Sequence, residues 1–585
     1  MGSDASPDRE GSPNVDVEER QVVDSPENQL PELASGALPV PPVDRLHGGL
    51  HRGLSARQVS MIAIAGTIGT GLFLGTGKSL AQGGPASMLI CYALVGGIVY
   101  ITLLLLGEMA TQYPVAGSFN AYATRFFSPG YGFALSWNYW FNDAVSVASD
   151  LTAAQLVLQY WTDWHTWVIS LIFWVILVSI NSIHVRAYGE LEYWLSFLKV
   201  FTIVLFIILG ILVNCGVNTE HQYIGGRYWH IEGAPFVGGF GGFARVFVTA
   251  SFAFGGTESL GITAGETKNP SRNMPRVVKF VFWRILLFYI LSIALIGLNV
   301  PYTYPNLSNR STTTSPFTIV FAEVGSNVAG SFMNTVILTS VLSAGNHALF
   351  AGTRVLYGLA TSTPRQAPAV FSITTPGGVP LAALIATSSI SVLCFGASFI
   401  GSGTLWGWLQ NIVGVSNQIA WLSIGLASWR FRKAWVLQGR SLEEMKFRAA
   451  WTWPWGPPFV VISVVFLIIV QGWSSFTPHF VAVDFVSFYV EIPVMIVMYV
   501  GWVLFKRPPK PAGGEAAERT PLLAVGCFGP LNGRSRWHDL VDIHGLDLKR
   551  DEYQEVEEDR IDDAQRQKRL QSRGRWLWRV YYWVV

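Results

Sequence analysis

Gly66-Thr67-Ile68-Gly69-Thr70-Gly71 interrupts the apolar run 61–75, and Phe254-Gly255-Gly256-Thr257-Glu258 interrupts a second run, 252–261. Glycine weakens a helix and admits backbone conformations that other residues avoid. Inside a membrane, unwound backbone is tolerated only where it lines a cavity or is buried in protein. Each run opens a set of five apolar spans, so the two interruptions occupy matched places. That spacing predicts a 5+5 inverted repeat with discontinuous helices 1 and 6 and a site near the midplane. The bland reading is that these glycines form close-packing helix surfaces. A dinucleotide-binding turn is excluded, because no strand–helix–strand pattern surrounds Gly66–Gly71.

The rest of the chain fits a lipid environment. Of 585 residues, 50% are hydrophobic and 13% charged, against roughly 25% charged in soluble domains. Spans of about 20 apolar residues fall near 59–76, 86–110, 132–160, 165–183, 190–213, 241–264, 280–299, 331–357, 380–400, 405–428, 457–474 and 483–505. The expected fold is therefore an all-α integral membrane protein with twelve transmembrane helices. Lys and Arg crowd the even-numbered links, including Arg125, Lys268, Arg272, Arg276 and Lys279, and Arg430, Arg432 and Lys433. The opposite links hold chiefly Lys78, Arg227 and Arg310. The positive-inside bias then places both termini in the cytoplasm. The two N-x-S/T sequons, at Asn306 and Asn309, share one link predicted to lie outside.

Three regions result: a polar tail over 1–57, read as disordered; the transmembrane domain over 58–505; and a polar C-terminal tail over 506–585. The first tail lacks Lys, so ubiquitin or trafficking machinery would use Lys506, Lys510, Lys549 or Lys568. The aromatic and basic stretch 576–583 suits a membrane interface. Cys91, Cys215, Cys394 and Cys527 have neither metal nor disulfide spacing. A net charge of +2 gives no nucleic-acid footprint. No metal or cofactor site, nucleophile motif or soluble catalytic domain is legible, so no enzyme activity is expected.

The interruptions also carry a chemistry. A half-helix N-terminus presents free N–H groups to a carboxylate. A half-helix C-terminus presents free carbonyls to an ammonium group. Together they suit a zwitterion.

The residues resemble those of the fungal amino-acid permeases of the amino acid–polyamine–organocation superfamily. The matching strings are 66–75; 107–111 with 114–119; 261–266 with Asn269-Pro270 and Pro275-Arg276; and 343–346 with 352–360. The resemblance implies a LeuT-like fold and proton-coupled amino-acid uptake. It places the substrate carboxylate on Thr70 and Gly71 beside Gly69. It places the α-amino group on carbonyls of Thr67, Phe252 and Gly255, with Thr257 in the same break. Side-chain selectivity then falls to spans 3, 6, 8 and 10. Plasma membrane is the implied location.

Charges inside a membrane are costly and mark function by default. Lys199, in span 5, matches the position where proton-coupled relatives carry a lysine in place of a sodium ion. It is the candidate proton carrier; the alternative is a lysine snorkelling from the helix end. Asp150, in span 3, stands where relatives carry Glu near the substrate. Asp143, seven residues earlier on the same face, is either polar lining or a helix-packing group. Glu258 is assigned to gating or proton linkage, or else to holding the broken backbone together. Glu108 and Glu266 read as structural. His347 reads as a hydrogen-bonded filler. The competing functional classes are a transport-inactive sensor on the same fold and a polyamine or cation transporter, which Asp143 and Asp150 would serve.

Overall fold

A computed structural model describes Met61, most of residues 66–505, residues 539–555 and a few more up to Gln571. The expected N-terminal tail 1–57, residues 506–538 of the C-terminal tail, the early part of span 1, the sequon at Asn309 and the aromatic stretch 576–583 lie outside the described residues.

Among the described residues every regular element is helical. The helices that matter here are α1 (Thr70–Phe73), α2 (Gly75–Gln112), α3 (Pro129–Leu158), α4 (Thr166–Ile183), α5 (Val185–Asn214), α6 (Gly239–Ala253), α7 (Ser259–Thr263), α8 (Pro270–Arg284), α9 (Asn327–Thr361), α10 (Leu381–Ile390), α11 (Ser402–Leu437) and α12 (Gly456–Gln471). Two final helices, α13 (Ala482–Tyr489) and α14 (Glu491–Phe505), meet at a 47° bend. Six described helices are long and apolar enough to cross a bilayer, or seven if the bent pair counts as one span.

Helix α5 shows why this chain needs lipid. Phe197, Phe201, Val204, Ile208 and Ile211 recur at helical spacing and are all exposed. On the opposite face Glu192, Ser196, Lys199 and Thr202 are buried. A water-soluble helix has the reverse pattern. Exposed apolar stripes on α4 (Ile172, Val175, Ile176) and α12 (Ile462, Phe466, Ile469) repeat the arrangement. The outer surface is apolar because its solvent is hydrocarbon, while polar groups pair inside.

Several span ends differ from expectation for local reasons. The second half of span 1 continues past residue 76 to Gly83, so Lys78 lies in a helix rather than a link. Gly84 (φ +80°) and Pro85 end it. Span 3 begins earlier, at Pro129, where Ser128 Oγ accepts from Tyr131 N–H at 3.1 Å. A Pro at the first position and a Ser cap are the ordinary signals of a helix start. Span 10 runs to Leu437. Span 9 tightens after Ile390 into a 3-10 stretch, Ser391–Gly396.

Residues 539–555 dock on the connections that precede α3 and follow α11. Val541 N–H donates to Phe127 O (3.0 Å), Tyr113 Oη donates to Leu548 O (2.7 Å), and Tyr553 N–H donates to Gln112 O (3.0 Å). Asp539 accepts from Ser128 Oγ and Gly130 N–H at 2.6 and 2.7 Å, placing a carboxylate at the α3 N-terminus. Leu548 and Tyr553 are buried. Lys446 also reaches Tyr553 O, and burial holds its ammonium below the ordinary pKa.

Candidate functional site

The helix containing Gly66 and Thr67 breaks at Ile68–Gly69 and restarts at Thr70. Gly69 is extended (φ −151°, ψ −146°), so the restarted helix offers new N–H groups in mid-protein. On the other side, α6 stops at Ala253, and residues 254–258 turn before α7 begins at Ser259. Gly256 has φ +81°, which only glycine adopts without strain.

The two breaks touch. A Cβ on Gly256 would lie 2.6 Å from Gly66 O, and one on Gly71 would strike the Ala253 backbone. Glycine at both positions lets the chains cross at backbone distance. Tyr289 ties the crossing together: its hydroxyl lies 2.6 Å from Thr67 O and 2.7 Å from Ala253 O. One proton serves two carbonyls, one from each broken helix.

A cavity opens at the crossing. Its wall includes Thr67, Gly69, Thr70, Gly71, Phe252 and Gly255. Asp150 completes this group from α3, accepting from Thr70 Oγ1 at 2.5 Å. Thr257 is not part of the wall. Its hydroxyl lies 3.0 Å from Phe254 O and 3.2 Å from Glu258 Oε2, so it stiffens the turn. The Phe252 carbonyl accepts from Gly255 N–H at 3.1 Å, and the Thr67 carbonyl from Tyr289. The Phe252 carbonyl retains a second lone pair.

Lys199 and Glu258 stand outside this wall. Glu258 is fully buried and collects four donors: Tyr139 Oη (2.9 Å) and Gly256 N–H (3.2 Å) on one oxygen, Trp421 Nε1 (3.1 Å) and Thr257 Oγ1 (3.2 Å) on the other. It fastens the α6–α7 turn to α3 and α11. Lys199 Nζ donates to Ser343 Oγ at 2.9 Å, and Ser343 donates onward to Glu192 Oε2 at 2.6 Å. Asn346 Nδ2 holds the other Glu192 oxygen at 2.7 Å, and its Oδ1 accepts from Asn181 at 2.7 Å. This relay joins α4, α5 and α9. Beside it, Ser196 Oγ donates to Met61 O at 3.0 Å, linking α5 to the start of the first broken helix.

Four residues of the site, Glu192, Tyr289, Asn142 and Asn417, escape the sequence reading. Glu192 precedes Lys199 by seven positions, the same helix face, and that spacing was the available signal. Tyr289 lies in an apolar span and acts on backbone carbonyls, which leave no signature. Asn142 Nδ2 donates to Asn417 Oδ1 at 3.3 Å on the cavity wall. His347 lines the cavity and meets Ser259 Oγ at 3.0 Å. Glu108 pairs with Arg432. Among the described residues no group of three His, Cys, Asp or Glu side chains is placed to hold a metal.

A lipid-facing helical bundle with a polar chamber where two broken helices cross defines a multi-span membrane transport protein. The chain matches the amino acid permease family over residues 58–512 and belongs to it. It is 44% identical to a probable amino-acid permease of Schizosaccharomyces pombe, covering 80% of this chain and 94% of that protein. It is 43% identical to the lysine-specific permease LysP of Escherichia coli, covering 78% and 94%. It is 41% identical to the general amino-acid permease GAP2 of Candida albicans, covering 78% and 79%. These relatives are transporters rather than enzymes.

Proposed function

We propose that this protein imports amino acids by proton symport through alternating access. The proposed architecture is a LeuT-like 5+5 repeat of twelve spans, with both termini cytoplasmic, in the plasma membrane. The observation that carries the reading is the contact between the Gly66–Gly71 and Phe254–Glu258 breaks at a chamber bordered by Asp150.

In this mechanism Gly69, Thr70 and Gly71 hold the substrate carboxylate by their N–H groups, while the Thr70 hydroxyl stays on Asp150. The Thr67, Phe252 and Gly255 carbonyls take the α-ammonium, with Asp150 bordering the same chamber. Thr257 and Glu258 keep the second break in shape as it moves. Backbone recognition reads what all amino acids share, so a broad substrate range follows. Lys199 loads and releases the coupled proton through Ser343 and Glu192, and the Ser196 link from the same helix to the Met61 segment connects protonation to helix movement. One charge crossing 100 mV supplies about 2.3 kcal/mol.

Uptake of labelled amino acids into proteoliposomes under an imposed pH gradient tests this. The wild type should accumulate substrate above the external concentration only when the gradient is present. Lys199→Ala should lose that dependence. Binding without uptake would show a sensor instead, and gradient-dependent accumulation by Lys199→Ala would remove the assigned proton role.

A further inference from the structure

The chamber holds one more carboxyl group than the steps above require. Asp143 lies on the wall about two helical turns from Asp150 along α3. It is 5% exposed, and its Oδ2 is buried without a hydrogen-bond partner. Buried carboxylates are normally paired, because an unpaired one forfeits its hydration. The other acids nearby are provided for. Asp150 has Thr70 and the field of Lys199, Glu192 has Ser343, Asn346 and Lys199, and Glu258 has four donors. Among the described residues the charged group whose field reaches Asp143 is Glu258, of like sign.

The position has a length scale. Seven residues of α-helix advance about 10 Å. With the substrate carboxylate at Thr70, beside Asp150, a neutral aliphatic side chain stops well short of Asp143. A lysine- or arginine-type side chain extends roughly 7 Å beyond its carboxylate. One further hydrogen bond of about 2.8 Å closes the gap. Gly352 lets α9 close on Asp143: a Cβ there would come within 2.9 Å of the Asp143 Cβ.

We infer that Asp143 is the specificity-determining residue for a cationic substrate side chain: among the amino acids carried, those with a terminal ammonium or guanidinium are preferred. The inference rests on the transport reading above and names the substrate class of that same site. It also gives the unpaired Oδ2 a partner that arrives only with the substrate.

Arginine and citrulline differ at the side-chain tip by charge at nearly equal size, so they form the test pair. Uptake of each into proteoliposomes should give the wild type at least a tenfold higher kcat/KM for arginine, equivalent to about 1.4 kcal/mol. Asp143→Asn should bring the arginine-to-citrulline ratio down by a similar factor, mostly through KM. A ratio unchanged by Asp143→Asn, or a wild type that carries both equally, overturns the inference. Uptake of neither by the wild type, with no uptake of any other amino acid, would defeat the transport reading itself. Should Asp143→Asn not fold, competition on the wild type decides: arginine must displace labelled substrate at concentrations at least tenfold below citrulline, and equal displacement overturns the inference.

Discussion

Glu108–Arg432 and Glu192–Lys199 each bury a carboxylate with a cation, and they are wired differently. Arg432 grips Glu108 with two donors, Nε at 2.9 Å and Nη2 on the other oxygen. Ala449 N–H adds a third donor at 2.7 Å, and the guanidinium lies over Trp453. Both side chains are fully buried. Lys199 instead reaches Glu192 through the Ser343 hydroxyl, which accepts from one and donates to the other. Arginine stays charged in proteins and its planar fork fixes geometry; lysine gives up its proton readily when buried. The first pair is a rivet between α2, α11 and the connection that follows α11. The second is a hydrogen-bonded chain of side chains beside the broken helices, which the proposed mechanism uses to carry a proton. On the proposed mechanism the two pairs divide by whether the cation is discharged.

The largest test of this division is on the rivet. Arg432→Met strands the buried Glu108 carboxylate and should cost about 3–5 kcal/mol of stability, the usual penalty for removing one partner of a buried pair. Thermal unfolding of the detergent-solubilised protein reads it. Adding Glu108→Gln should recover most of the loss, because the uncompensated charge is gone. A single variant as stable as the wild type would show that the pair does not hold the helices.

Next in size is Lys199→Arg, which keeps the charge and removes the ability to discharge it. The variant should still exchange labelled for unlabelled amino acid across the membrane, showing that the site forms. Accumulation against a gradient should fall by about fiftyfold at 100 mV, the equivalent of about 2.3 kcal/mol per charge. Wild-type accumulation by Lys199→Arg would mean that the coupled proton travels elsewhere and that the two pairs do the same kind of job.

The same contrast separates what the sequence could tell from what it could not. The breaks were readable because Gly and Thr packed into apolar runs at 66–71 and 254–258 have few uses in a membrane. Lys199 was readable because a charge there is expensive. Arg432 was counted only as one of several basic residues in a link, since nothing in its neighbours reveals a partner 324 positions away. Tyr289 bonds to main-chain oxygens, which every residue owns. The docking of residues 539–555 was hidden for another reason. Leu548 and Tyr553 are sparse apolar residues in a polar tail, and their burial depends on partners near Gln112 and Tyr113. The end of span 1 was misplaced because the apolar pattern fades at Lys78, while the helix stops only where Gly84 and Pro85 turn the backbone.

Ser343→Ala gives the smallest and most specific effect, because it removes only the hydroxyl between the two charges. Lys199 loses an acceptor and Glu192 loses a donor, but Asn346 still holds Glu192 and both charges remain. A hydrogen bond to a charged group contributes about 1.5–3 kcal/mol. With the attraction between Lys199 and Glu192 retained, the stability loss should sit at the low end, below that of Arg432→Met. If Ser343 passes the proton, uptake driven by the pH gradient should slow about tenfold while gradient-free exchange changes less. Ser343→Thr, which restores a hydroxyl, should recover the difference. Equal slowing of driven uptake and exchange would make Ser343 a packing residue and the Lys199 cluster a second rivet.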